Sequence, residues 1–120
     1  MDIVINNSIE TPIYRQIYEQ IVAQILNGTL VADYCLPSIR AIARDLDISV
    51  ITVKNAYEML EQDKFIYTIL GKGCFVSAIA KTDLQDKKDC LIREKAEEIL
   101  EFCTQFGVDK NKIIEELKKS

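Results

Sequence analysis

Arg40 and Arg44 stand one helical turn apart, Lys54 follows further on, and Lys72 sits between two glycines in Gly71-Lys72-Gly73. Among them lie the hydroxyls of Ser38, Ser49 and Thr52 and the apolar side chains of Val50, Ile51 and Leu70. Guanidinium and ammonium groups grip phosphate oxygens, and backbone amides at helix starts add donors without adding charge. Valine and isoleucine can lie on thymine methyls. This is chemistry for holding a polyanion and touching base edges. It is not chemistry for breaking bonds.

Residue types missing from the chain argue the same way. It contains no histidine, which removes the commonest general base and the Ser-His and Cys-His nucleophile pairs. The carboxylates, Glu97, Glu98, Glu115 and Glu116 among them, alternate with lysines as on solvated helix faces. Gly71-Lys72-Gly73 lacks the strand-to-helix setting of a phosphate-binding loop. The four cysteines, Cys35, Cys74, Cys90 and Cys103, have no CxxC spacing, so no metal site is expected and they read as buried, reduced thiols. Neither a catalytic centre nor a cofactor is expected. The chain reads as a non-enzyme.

The elements that must position these groups follow from periodicity. Thr11 is expected to cap a first helix and Pro12 to sit in its first turn, with Ile13, Ile17, Ile21 and Ile25 recurring every four residues beside Tyr14, Tyr18, Val22 and Leu26. Gly28 supplies its left-handed stop. Thr29 to Leu36 is a loop or a short strand. Ser38 then caps a second helix with Ile39, Ile42, Ala43 and Leu46 inward, and Asp47 occupies a turn position that needs positive φ. Ser49 caps a third helix that buries Val53, Ala56, Tyr57 and Leu60. After Asp63 the period becomes two: Phe65, Tyr67 and Ile69 oppose Phe75 and Ser77 across the turn at Leu70-Gly71-Lys72-Gly73.

Three helices with a sharp turn between the second and third, followed by a two-stranded wing, predict a winged helix-turn-helix over residues 11–79. The fold class is mainly α with a small β-hairpin, plus a helical tail over residues 80–120. Ala80 to Lys88 is a polar connection or already the start of a helix. Beyond it Ile92, Ala96, Ile99, Cys103 and Phe106 form a heptad-like seam, Gly107 stops that helix, and Asp109 caps a last one bearing Ile113, Ile114 and Leu117. A two-helix tail without its own core folds back or pairs with a second copy. A heptad seam favours pairing, so a homodimer through the C-terminal helices is expected.

These segments resemble the winged-helix domain of the GntR family of bacterial transcriptional regulators. The resemblance runs from Pro12 to about Ser77: Pro-Ile-Tyr at 12–14, Leu36-Pro37-Ser38-Ile39-Arg40, Ile48-Ser49, Thr52-Val53, and Gly71-Lys72-Gly73 before Phe75-Val76. The short tail is similar to that of the YtrA-type subgroup, in which a helical hairpin mediates dimerisation and whose members often regulate ABC-transporter genes. The resemblance implies double-stranded DNA as partner. It implies that Arg40 contacts DNA backbone, that Ser49, Val50, Ile51, Thr52 and Lys54 face DNA from the third helix, and that Leu70, Gly71 and Lys72 form a wing tip able to enter the minor groove. Val50 and Lys54 stand where the family commonly has arginine, and Thr68 and Leu70 replace polar or basic wing residues. Valine cannot grip guanine through two hydrogen bonds, so an A·T-leaning site is expected.

Residues 1–80 carry six basic side chains (Arg15, Arg40, Arg44, Lys54, Lys64, Lys72) against nine acidic ones, a net of −3. A phosphate binder is usually basic. The expected DNA-binding set is Ser38, Arg40, Arg44, Ser49, Val50, Ile51, Thr52, Lys54, Leu70, Gly71, Lys72 and Gly73, with Glu19, Glu58 and Glu61 turned aside. The acidic balance, Val50 and the apolar wing tip leave one alternative, a winged-helix module that binds protein and not DNA. With 120 residues there is too little chain for an effector domain. A small-molecule effector would sit between the tail helices or at the dimer interface, or oxidation of Cys74 or Cys103 would be the input. No apolar run approaches a membrane span and residues 1–7 do not form a signal peptide, so the cytoplasm is expected and no membrane partner.

Overall fold

The computed structural model describes residues 1–79 and 81–119, the side chains of 81 and 82 excepted. The chain divides into two compact units, Met1–Ala80 and Lys81–Ser120. The first holds α1 (Ile13–Leu26), α2 (Ile39–Leu46), α3 (Val50–Gln62) and an antiparallel hairpin of β1 (Ile66–Ile69) and β2 (Gly73–Val76). The second holds α4 (Lys81–Phe106) and α5 (Lys110–Lys118). This is a mainly helical chain with a winged-helix unit.

Both α1 and α2 pack on α3, which also meets β1. Ile17 and Ile21 from α1, Val53 and Leu60 from α3, and Val76 from β2 are essentially sealed from solvent. The every-fourth-residue pattern of α1 therefore closes the core from one side, and the 53-56-57-60 pattern of α3 closes it from the other. Burial of such branched side chains is the main favourable term of folding. The turn between α2 and α3 depends on Asp47, whose φ of 55° lies in the left-handed region, as expected. Asparagine and aspartate tolerate that region better than most non-glycine residues.

Three expectations need correction. Thr11 does not cap α1: Pro12 holds the cap position with no side-chain bond, because its own carbonyl receives the Arg15 and Gln16 N–H groups, both at 3.1 Å. The hairpin has the expected register, Tyr67 opposite Phe75 and Ile69 opposite Gly73, but a different buried face. Lys64, at φ 66°, turns the chain so that Phe65 and Ile66 are both buried, while Ile69 is exposed. Last, only Cys103 is a buried thiol; Cys35 and Cys90 are exposed and Cys74 is half-buried.

Residues 33–36 behave as a third strand along β2. Asp33 N–H donates to Val76 O at 2.7 Å, Val76 N–H to Tyr34 O at 2.9 Å, and Leu36 N–H to Cys74 O at 2.9 Å. Ala80, where a polar connection was expected to begin, lies outside the described residues, and from Lys81 onward the chain is helical.

One feature carries no hydrophobic signature in the sequence. Gln16, Gln20 and Gln24 form a stripe on α1 that clamps the N-terminal segment through its backbone. Gln16 accepts from Asn6 N–H at 2.8 Å and donates back to Asn6 O at 3.0 Å. Gln20 does the same to Val4, at 2.9 and 2.7 Å, and Gln24 donates to Asp2 O at 2.7 Å. Each glutamine amide thereby takes the place of a neighbouring strand, with Ile3 and Ile5 half-buried beneath. Among the described residues no helix is long and apolar enough to cross a membrane.

Candidate nucleic-acid interface

The candidate interface centres on two helix starts. Ser38 Oγ accepts from Ala41 N–H at 3.1 Å and Ser49 Oγ accepts from Thr52 N–H at 3.2 Å. Each cap satisfies one of the unpaired amides that every helix start exposes. The amides of Ile39 and Arg40, and of Val50 and Ile51, stay directed outward at the positive ends of α2 and α3, where a phosphate oxygen is favoured.

What fixes α2 against α3 is Tyr57, whose hydroxyl donates to Pro37 O at 2.6 Å. That bond reaches from the middle of α3 to the residue just before the Ser38 cap. Burial, above all, with lesser contributions from Cys74, Tyr34 and Cys35, pushes the phenol well above its ordinary pKa, so it remains a donor. Residues 33–36 run along β2 and lead directly into Ser38, so the wing base and the α2 start share one backbone framework.

The expected cations are all exposed, but they differ in freedom. Arg40 and Lys72 form no ion pair in the described structure. Arg44 meets Asp45 at 3.8 Å, and Lys54 meets Glu58 at 3.8 Å. Pairs this exposed contribute little and yield readily to a phosphate. Glu58 lies beside Lys54, one turn along α3, whereas Glu61 faces the hairpin, accepting from Thr68 Oγ1 at 3.1 Å. Val50 and Ile51 are 47% and 69% exposed at the first turn of α3, an unfavourable place for apolar groups unless something covers them. Thr52 is half-buried and its hydroxyl shares a 2.7 Å bond with Ser49 Oγ. It therefore supports the cap before it can read a base.

At the wing, Lys72 N–H donates to Ile69 O at 2.9 Å and closes the turn, with Leu70 at its apex and Gly71 at φ 80°. Behind the tip, Tyr67 stacks on Phe75 with ring centroids 5.5 Å apart and donates to Asp33 Oδ1 at 2.6 Å. Sequence reasoning missed the Tyr57 and Tyr67 hydroxyls as structural ties. Both partners are backbone or loop groups far along the chain, which periodicity cannot reveal.

In the second unit, Gly107 at φ 66° ends α4, and Asp109 caps α5 by accepting from Asn111 N–H at 2.9 Å. Of the expected seam, Ile92, Ala96 and Phe106 are exposed and Ile99 is half-buried. Cys103 is already buried within the single chain. Leu100 and Phe102, which the seam did not include, are exposed, and Phe102 packs on Phe106 at 4.9 Å between centroids.

Comparison with known proteins fits this geometry. Residues 13–76 match the model of the bacterial regulatory proteins of the gntR family. The HTH-type transcriptional repressor YtrA of Bacillus subtilis (strain 168) is 34% identical over 109 residues, which span 91% of this chain and 84% of that protein. Two solved structures are also similar: a transcriptional antiterminator from Listeria monocytogenes EGD-e (TM-score 0.79, 29% identity, 99% of this chain and 89% of that one) and YtrA from Sulfolobus acidocaldarius, a GntR-family transcription factor (TM-score 0.62, 32% identity, 78% and 97%). These are regulators of transcription and not enzymes. With the family model covering more than half of its length, this chain belongs to the gntR family of bacterial regulatory proteins and is a DNA-binding transcriptional regulator.

Proposed function

We propose that the chain is a homodimeric repressor that recognises an inverted-repeat operator in the cytoplasm. In this reading α3 enters the major groove, the start of α2 sits on the phosphate backbone, and the wing lies in the adjacent minor groove. Arg40, Arg44 and Lys72 supply the phosphate contacts, Ser38 and Ser49 fix the helix starts, and Val50, Ile51, Thr52 and Lys54 meet base edges. Leu70, Gly71 and Gly73 complete the wing tip. The observation that carries it is the pair of capped helix starts tied by Tyr57 to one framework, with the unpaired Arg40 on the first of them.

Dimerisation rests on the tail. A unit of this size has little core of its own, and the apolar Ile92, Leu100, Phe102, Phe106, Ile114 and Leu117 all stand exposed. Units near 40 residues usually need association to be stable. A second copy laid along α4 and α5 would cover them. Two half-sites at fixed spacing then follow from the two-fold symmetry. A transporter operon fits as target by likeness to the YtrA type. An effector would bind within the tail or between copies.

The test is selection of genomic fragments by the purified protein, with affinity followed across moderate salt. Recovery of one inverted repeat, A·T-leaning where Val50 reads it, is the expected result. An indispensable guanine opposite Val50 would remove the thymine-methyl assignment. Failure to enrich any sequence at low salt would move the weight to a protein-binding module.

A further inference from the structure

Leu70 is 99% exposed, the most exposed large apolar side chain in the described structure, and a place at the wing tip does not by itself explain why that side chain is apolar. It stands at the apex of a narrow turn. Lys72 N–H closes that turn onto Ile69 O, Gly71 and Gly73 add no side chains around it, and a Cβ placed on Gly71 would meet nothing within 4 Å. The hairpin therefore presents one branched apolar side chain at its tip, with the unpaired Lys72 ammonium two residues behind. The turn is bare of bulk on either side of Leu70, so this one side chain can reach the floor of a minor groove about 6 Å wide while the strands stay outside it. A leucine there can make no specific hydrogen bond to a base edge. What it can do is enter between adjacent base pairs and part them, as apolar wedges do.

We infer that Leu70 is a minor-groove wedge: it partly unstacks one base step under each wing and bends the operator, while Lys72 holds the flanking phosphate. This rests on the DNA-binding reading above and adds a second source of sequence preference. Steps that unstack easily, pyrimidine followed by purine, should be preferred under the wing although no hydrogen bond reads them. The acidic balance sharpens the argument. With few cations to spend on the backbone, a bent duplex that wraps more of the protein surface recovers contact area.

The experiment uses the full chain, the operator recovered by selection, and unrelated DNA of equal length. Bending is read by energy transfer between dyes at the duplex ends, and unstacking by an adenine analogue that brightens when unstacked, placed under the wing. Wild type should bend the operator and brighten the analogue. Leu70→Ala should keep its thermal midpoint but lose both signals and on the order of a hundredfold in operator affinity, about tenfold for each of the two wings, with a much smaller loss on unrelated DNA. A mismatch at the contacted step, which is already loosened, should return most of that loss. Leu70→Lys should restore affinity without brightness. Wild type that binds its operator with straight DNA and a dark analogue, or Leu70→Ala that bends like wild type, overturns the wedge alone and leaves the tip to a protein partner. Wild type that binds no DNA overturns the wedge together with the reading beneath it.

Discussion

The two units of this chain treat their apolar side chains in opposite ways. In the winged unit Ile17, Ile21, Val53, Leu60 and Val76 disappear into a closed core, and the polar Gln16 that joins them is fully bonded. Among the described residues of the tail only Cys103 is buried, and Phe106 and Leu117 are each 64% exposed. Apolar side chains thus close a core in one unit and stay open to solvent in the other. In the proposed reading, recognition belongs to the closed unit and symmetry to the open one.

The comparison breaks most forcefully at Leu60. Leu60→Ala should destabilise the winged unit by about 3–4 kcal/mol, since a sealed site collapses poorly around a cavity. Denaturant unfolding of the full chain measures it. A loss below about 1 kcal/mol would mean that this core is looser than its burial indicates.

Phe106→Glu tests the other half. Placing a charge in the exposed tail seam should leave the winged unit folded and halve the mass measured by sedimentation. Operator affinity should fall by about a hundredfold, because linkage of two sites is lost. Unchanged mass would place the interface elsewhere.

Arg40→Ala sharpens the account of the α2 start. It should weaken binding to all sequences alike and flatten the dimer's salt slope by about two, one for each protomer. If affinity at moderate salt were untouched, the docking geometry would be wrong. The smallest expected effect is that of Ser49→Ala, about 1 kcal/mol of stability from the lost cap, with Thr52 released from its hydrogen bond. Selection with this variant should then show altered preference at the base Thr52 meets.

Much of this was legible because the residues concerned act locally. Ser38, Ser49 and Asp109 cap the helices that follow them, and the left-handed turn at Asp47 needs only its neighbours. The hairpin register followed from the turn. Its buried face did not, because Lys64 shifts the phase of the alternation just before the strand. Long-range polar ties were invisible for a different reason: Tyr57 to Pro37, Tyr67 to Asp33, and the glutamines to residues 2–6 pair a side chain with a distant group and leave no period. The spacing of Gln16, Gln20 and Gln24 along the edge of the α1 apolar stripe was the one available signal. At the interface, residue types marked Arg40 and Lys72 correctly as exposed cations. They could not show that Arg44 and Lys54 carry acidic neighbours within 4 Å.

In the proposed reading two copies, joined by their tails, hold one operator through two winged units. Sedimentation of the protein on its recovered operator, repeated across moderate salt, tests it most directly. The expected result is two chains for each inverted repeat and a slope of log affinity on log salt of about −5, from roughly three phosphates neutralised by each protomer. One chain for each site, with about half that slope, would contradict it.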